Sequence, residues 1–255
     1  MLKQMILLLT GLFFTHLSQA QVMVLIHGYH SDFSTWHTSG ISRVLEQHQW
    51  RNGAHTRTPK SDKTFYTIDL PSEASIERQS DLLSHHVINL KKRHSNEAFI
   101  LVGHSAGGIV ARHMMVSRPN IKIDTLATIA SPHMGTHRAA EALRTRNSPI
   151  GWFAPFLGLN TLNRSRDLYA NLLPPRPGNL LYWLNIQPHP KAHYIAIMRG
   201  APLRLHGDHM VSGFSQDMNH VPALKDRVYT YAINSEHSLT PADGIILLKA
   251  LKEKS

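Results

Sequence analysis

A chain of 255 residues can bury one large core, and 42% hydrophobic with 17% charged residues is a globular composition. That excludes a disordered chain, a collagen and a coiled coil. The absence of cysteine excludes disulfides, cysteine-ligated zinc or iron–sulfur centres, a thiol nucleophile and a lipidated cysteine. Lys and Arg outnumber Asp and Glu by 27 to 17, a formal charge of +10, which favours anionic surfaces as partners.

Residues 1–20 read as an export signal. Lys3 supplies a positive start, and Met5 to Phe14 is apolar except for Thr10 and Gly11. Ser18-Gln19-Ala20 places small residues at the −3 and −1 positions of a cleavage after Ala20. The apolar run is shorter than the roughly 20 residues a membrane-spanning helix requires. No twin arginine is present, so the general export route is expected. An exported chain without cysteine suits a bacterial periplasm or the medium.

Beyond the signal, one domain is expected over 21–255, with strand and helix alternating. Val22 to Ile26 is a continuous apolar run, the pattern of a strand buried on both faces. Trp36 to Trp50 reads as one helix, with Ile41, Val44, Leu45 and His48 on a face. Gly53 to Lys63 is polar and turn-rich, and Thr64 to Leu70 is a strand ended by Pro71. Ser72 to His94 has the helical recurrence Ile76, Leu83, Val87, Leu90, closed by Lys91-Lys92-Arg93 where cations suit the helix dipole. Ala98 to Val102 is a second buried strand, followed by a helix over Ile109 to Val116 that breaks at Arg118-Pro119. Asp124 to Ala130, His193 to Met198 and Val228 to Ile233 are further strands. Thr240 to Lys252 is the last helix, with Thr240 as N-cap, Pro241 at the first position and Asp243 closing a capping box.

Such alternation implies an α/β fold: a mostly parallel sheet with helices on both faces. Ligands then bind at the carboxyl ends of the strands. A stretch over about 133–191 interrupts the alternation and is far longer than an ordinary connection, so a lid or cap insertion is expected there. Its Trp152, Phe153, Phe156 and Leu157 either line an acyl-binding lid surface or pack the insertion onto the body. Arg138, Arg144, Arg146, Arg164 and Arg166 lie in and around it, either as a docking face for an anionic membrane surface or as a solvated face.

Gly103-His104-Ser105-Ala106-Gly107 fits G-x-S-x-G between a predicted strand and a predicted helix. A serine on that tight turn projects its hydroxyl above the sheet. The helix N-terminus then lies beneath a developing oxyanion. With Val24-Leu25-Ile26-His27-Gly28-Tyr29 and Ala130-Ser131-Pro132-His133-Met134-Gly135-Thr136, this turn makes the chain resemble an α/β-hydrolase of the bacterial lipase/esterase type. The resemblance covers about Val22 to Leu251 and is weakest in the insertion. The sheet starts at the strand before His27-Gly28, which implies a small format without the family's first strands.

The resemblance implies a Ser, an Asp or Glu and a His in that chain order. Among the late histidines His206, His209, His220 and His237, the last follows the final strand, where the family carries its base. Asp208, in Gly207-Asp208-His209-Met210-Val211, resembles the lipase acid segment. Asp217, Asp243 and Glu236 are its rivals. The oxyanion donors implied are the backbone N–H groups of Tyr29 and Ala106. His27 reads as a packed, hydrogen-bonded ring. His133 and His137 have helical spacing, and with His206 and His209 they raise a metal site, but no carboxylate cluster accompanies them, so neither metal nor cofactor is expected. Nucleic acid is not expected either, since no recognition motif is present.

The expected activity is hydrolysis of carboxylic esters by an exported serine hydrolase, on an ester or lipid substrate. A phospholipase or acyltransferase on the same triad is an alternative. A catalytically silent hydrolase fold that binds within the cell envelope is another. The sequence is silent on oligomeric state.

Overall fold

The computed structural model describes residues 20–54, 63–146, 164–200 and 208–253. The expected export signal, apart from Ala20, and the quartet Trp152, Phe153, Phe156 and Leu157 lie outside the described residues.

Among the described residues, seven strands form one sheet: β1 (Gln21–Ile26), β2 (Arg51–Asn52), β3 (Lys63–Ile68), β4 (Ala98–His104), β5 (Thr125–Ile129), β6 (His193–Arg199) and β7 (Val228–Ile233). Their order is β2-β3-β1-β4-β5-β6-β7, and every neighbouring pair is parallel. The helices are α1 (Thr35–Thr38), α2 (Ile41–Gln47), α3 (Ile76–Arg93), α4 (Ala106–Ser117), α5 (His137–Arg146), α6 (Arg166–Asn171), α7 (Leu180–Ile186), α8 (Gly213–Gln216) and α9 (Pro241–Glu253).

Unbroken apolar runs make sense in a sheet covered on both sides, because each strand alternates its side chains between two cores. Val22, Val24 and Ile26 of β1 share a core with Leu83 and Val87 of α3, Ile109 and Met114 of α4, and Leu181 and Leu184 of α7. Met23 and Leu25 point the other way, onto Trp36, Ile41 and Leu45 of α1 and α2 and Leu247 and Leu251 of α9.

The structure differs from the sequence reading at three places. Trp36 to Trp50 is not one helix: Gly40 adopts φ 81° and separates α1 from α2. The residue buried in place of His48 is Ser42, whose hydroxyl donates to the Trp36 carbonyl at 3.1 Å. His48 is exposed and its ring bonds the Val44 carbonyl. Second, α3 starts at Ile76 rather than Ser72, because the Ser75 side chain caps it by accepting from Arg78 N–H. Third, the short edge strand β2 pairs with β3 inside a stretch that has no apolar run to mark it.

Within 133–191, α7 packs against the body. Leu181 and Leu184 enter the core, and the buried Arg112 of α4 donates to Asn185 Oδ1 at 2.6 Å. Asn185 Nδ2 in turn donates to the His133 carbonyl at 3.1 Å. His133 precedes α5, is buried, and bonds Thr128 Oγ1 at 3.1 Å, so it shares no helix face with the exposed His137. Among the described residues no helix is long and apolar enough to cross a membrane.

From β1 the chain builds β2 and β3 on one side and then places β4 on the other. The ends of β1 and β4 therefore form a topological switch point, where a crevice opens. Ile26 aligns with Gly103, so the loop after β1 runs beside the turn after β4. That approach needs glycine: a Cβ on Gly107 would lie 2.3 Å from the His27 carbonyl oxygen. The close atom is backbone and cannot swing away. Gly107→Ala should therefore destabilise the protein by about 2 kcal/mol or more, read by urea denaturation, the usual scale of overpacking.

Candidate functional site: a serine relay at the end of β4

Ser105 has φ 52° and ψ −126°, a conformation that side chains rarely adopt and that costs about 1–3 kcal/mol. It is held there by its N–H donating to the Ile129 carbonyl at 2.8 Å and by α4 starting at the next residue. The result is a half-buried hydroxyl at the head of a helix.

His237 Nε2 lies 3.0 Å from Ser105 Oγ, and His237 Nδ1 lies 2.8 Å from Asp208 Oδ2. The three side chains singled out in the sequence thus form one hydrogen-bonded line from three separate segments. Asp208 is buried, and its Oδ1 accepts from the backbone N–H groups of Met210 at 2.8 Å and Val211 at 2.7 Å. Gln216 Nε2 donates to Oδ2 at 3.3 Å. Burial alone would push this carboxyl up, but the bond and charge of His237 and the N–H groups of Val211 and Met210 outweigh it and hold it below the usual carboxylate range. An ionised acceptor at Nδ1 fixes the imidazole tautomer that leaves Nε2 free to accept the serine proton.

The rival acids have other partners. Asp217 caps the turn over Met218–His220 by accepting from Asn219 N–H. Glu236 is exposed and pairs with His209 at 2.8 Å. Asp243 closes the capping box by accepting from Thr240 N–H at 2.7 Å, and it also faces Arg199. Of the other late histidines, His220 stacks on Phe214 and His206 lies outside the described residues.

The loop after β1 closes the opposite wall. A Cβ on Gly28 would lie 2.9 Å from Ser105 Cβ, so the Gly28-Tyr29 backbone runs directly against the serine. His27 packs this loop. Its Nε2 accepts from Leu70 N–H and its Nδ1 donates to the Gly28 carbonyl, each at 3.0 Å, which occupies both nitrogens. The Tyr29 and Tyr169 hydroxyls bond at 2.6 Å. Tyr29, Ser105, Ala106, Ala139, Ala142, Leu172 and Val211 surround an apolar cavity of about 170 Å³. Thr136, Arg138 and Met210 separate it from a larger groove of about 510 Å³ that also meets His137 and His209. Arg138 is no free cation, because it contacts Glu141 at 3.5 Å, and Arg164 pairs with Glu73 at 2.6 Å.

His104 was not singled out in the sequence, since it occupies an unspecified position of the motif. Its Nε2–H donates to the His237 carbonyl at 3.0 Å, and the two rings sit 5.2 Å apart. Burial first, then the neighbouring His237, push its imidazole down to about 3. Gln216 was missed as well, because a glutamine that orients an acid from another segment has no local pattern.

The fold and the strained serine turn define an α/β-hydrolase. The chain belongs to the PGAP1-like alpha/beta domain family, whose model matches residues 16–146. Among solved structures it is similar to the Bacillus licheniformis lipase BlEst2 in its mature form, at 16% identity and a TM-score of 0.64, covering 92% of each chain. A metagenomic carboxyl esterase aligns at 11% identity and a TM-score of 0.59, over 93% of this chain and 77% of that one. The phospholipase PlaB of Legionella pneumophila aligns at 12% identity and a TM-score of 0.54, over 78% of this chain and 44% of that one. At these identities the likeness is one of fold. A comparison with curated protein sequences returns no match.

The buried neutral His104 makes stability depend on pH. Its folded value of about 3 lies below the ordinary 6.5, so below pH 6.5 the unfolded chain gains a proton that the native state refuses. The contribution is intact above 6.5 and is lost progressively as the pH falls toward 3, reaching about 2 kcal/mol at pH 5. Urea denaturation at pH 7.5 and pH 5 should show a loss that includes this share. The buried His113, His133 and His189, whose imidazoles are also pushed down, add to it in the same direction, and His104→Gln should remove only the His104 share. Equal pH sensitivity in the variant would mean that His104 is protonated in the native protein.

Proposed function

We propose that this protein hydrolyses carboxylic esters through an acyl-enzyme formed on Ser105. The observation that carries the reading is the continuous line Ser105 Oγ, His237, Asp208 at 3.0 and 2.8 Å, opening onto an apolar cavity. His237 takes the Ser105 proton as Oγ attacks the ester carbonyl, and Asp208 stabilises the imidazolium without taking a proton. The developing oxyanion rests on the N–H groups of Ala106, at the start of α4, and Tyr29, each worth roughly 3 kcal/mol of transition-state stabilisation. His237 gives its proton to the departing alcohol. It then deprotonates a water that cleaves the acyl-enzyme and frees the serine. None of these steps calls on a metal or cofactor.

The apolar cavity would take the acyl chain, with Ala139 and Ala142 leaving it room. A phospholipase on the same residues is the second reading. The groove beyond Thr136 and Arg138 supports it as room for a large alcohol: His137 lines it, and Arg138 and His209 would meet a phosphate there on leaving Glu141 and Glu236. The phospholipase similarity reported above is in the same direction. A lid within the stretch 133–191 (apart from α7, which packs into the core), export through residues 1–20, and contact with an anionic membrane belong to the same proposal. A silent binding fold fits less well, since it has no need of three aligned side chains around a strained serine.

Purified protein tested on esters from two to sixteen acyl carbons should turn over in a serine-dependent way. Ser105→Ala should abolish turnover while leaving the circular dichroism spectrum unchanged, and a folded Ser105→Ala protein that still hydrolyses esters overturns the proposal. Asp208→Asn should lower kcat by about four orders of magnitude through the wrong tautomer, with KM little changed.

A further inference from the structure

Arg199 ends β6, and its side chain is completely buried. Its Nη2 donates to Asp243 Oδ2 at 2.6 Å, and Asp243 is buried to the same degree. Its Nη1 donates to Ser235 Oγ at 2.8 Å and to the Glu236 carbonyl at 2.5 Å. Asp243 Oδ2 also accepts from Thr240 N–H at 2.7 Å and Thr240 Oγ1 at 3.0 Å. The guanidinium therefore grips the loop carrying His237 on both sides of it, at residues 235–236 directly and at residue 240 through Asp243. The backbone of the same residue reaches the acid. Arg199 N–H donates to Gln216 Oε1 at 2.7 Å, and Gln216 Nε2 bonds the Asp208 oxygen that holds His237.

A buried ion pair is a poor way to gain stability, because removing both charges from water offsets their attraction. Apolar replacements of similar size are often as stable or more so. This pair is further from ideal than most, since Arg199 Nε and Asp243 Oδ1 are buried without a hydrogen-bond partner. What the pair does provide is direction, with three short bonds that converge on one exposed-side loop and on the head of α9.

We propose that Arg199, paired with Asp243, is a positioning residue that sets the distance from His237 Nε2 to Ser105 Oγ. This rests on the reaction proposed above. A displacement of about 1 Å at such a contact can cost two orders of magnitude in rate. The pair thus acts on the chemical step and leaves substrate binding alone.

Two variants test it. Arg199→Lys keeps a cation opposite Asp243 but loses the fork to Ser235 and Glu236. Arg199→Met combined with Asp243→Leu removes both charges at similar volume. Both should keep Tm within a few degrees of the parent. The expected kcat falls are about tenfold and about a hundredfold, with KM within about twofold. The downfield proton of the His237–Asp208 hydrogen bond, seen by proton NMR, should weaken in both. Unchanged kcat and an unchanged downfield proton in the folded variants overturn the proposal. So does a collapse of Tm in both, which would make the pair a support of the fold. A parent protein that cleaves no ester sinks the proposed reaction instead, and the NMR signal then still decides whether Arg199 orients His237.

Discussion

Where β1 and β4 end side by side there is room for backbone and little else. The two strands run in parallel register to Ile26 and Gly103 and then diverge into a loop and a helix. Within the next four residues the His27 carbonyl comes against Gly107, and Gly28 against Ser105. That contact forces Ser105 into its strained conformation, starts α4 beneath it, and lays the Tyr29 backbone along its other side. The remaining site residues arrive from β6 and β7 onto a serine already in place. Strain of this kind persists only where the surroundings over-determine it. Here α4 supplies that rigidity, with Ala106 through Met115 buried in succession between the sheet and its neighbours.

Electrostatics around the serine follow from burial. Asp208 stays ionised because its oxygens are filled by N–H donors from Met210, Val211, Gln216 and His237. His104, equally enclosed, makes no ion pair among the described residues, and its burial and the neighbouring His237 outweigh the Asp208 charge and keep it neutral, which suits a donor to the His237 carbonyl. One imidazole is thus kept uncharged while it holds the backbone of another. Burial likewise governs Arg199 and Asp243, two opposite charges that are fully buried and meet at 2.6 Å.

Much of this was legible in the sequence because it is written in local patterns. Strands covered on both faces are largely apolar runs, so β1, β4, β5 and β6 were found to within a residue or two, and the edge strand β7, none of whose residues is buried, was found by its β-branched and aromatic composition. Ser105 is announced by its flanking glycines, while Asp208 and His237 were implied by the resemblance to α/β-hydrolases, with Asp217, Asp243 and Glu236 left as rivals for the acid. The misreadings have physical reasons. Gly40 takes a left-handed conformation in the middle of an otherwise helical pattern and splits it. Ser72 to Ala74 lie outside α3 because Ser75 caps it, a choice the apolar spacing does not register. Edge strand β2 has too few residues to show a period.

The amino-acid sequence by itself determined the class of fold and the position of Ser105, because strand burial, helix periodicity and the glycine-flanked serine are properties of neighbouring residues, and resemblance to a family added Asp208 and His237 as candidates. Only the tertiary structure decided what holds those residues in line. Gln216 against Asp208, His104 against the His237 carbonyl, and Arg199 against both ends of the His237 loop are contacts between segments 8 to 133 positions apart. Their partners are set by how the strands pack side by side, and no spacing along the chain records that.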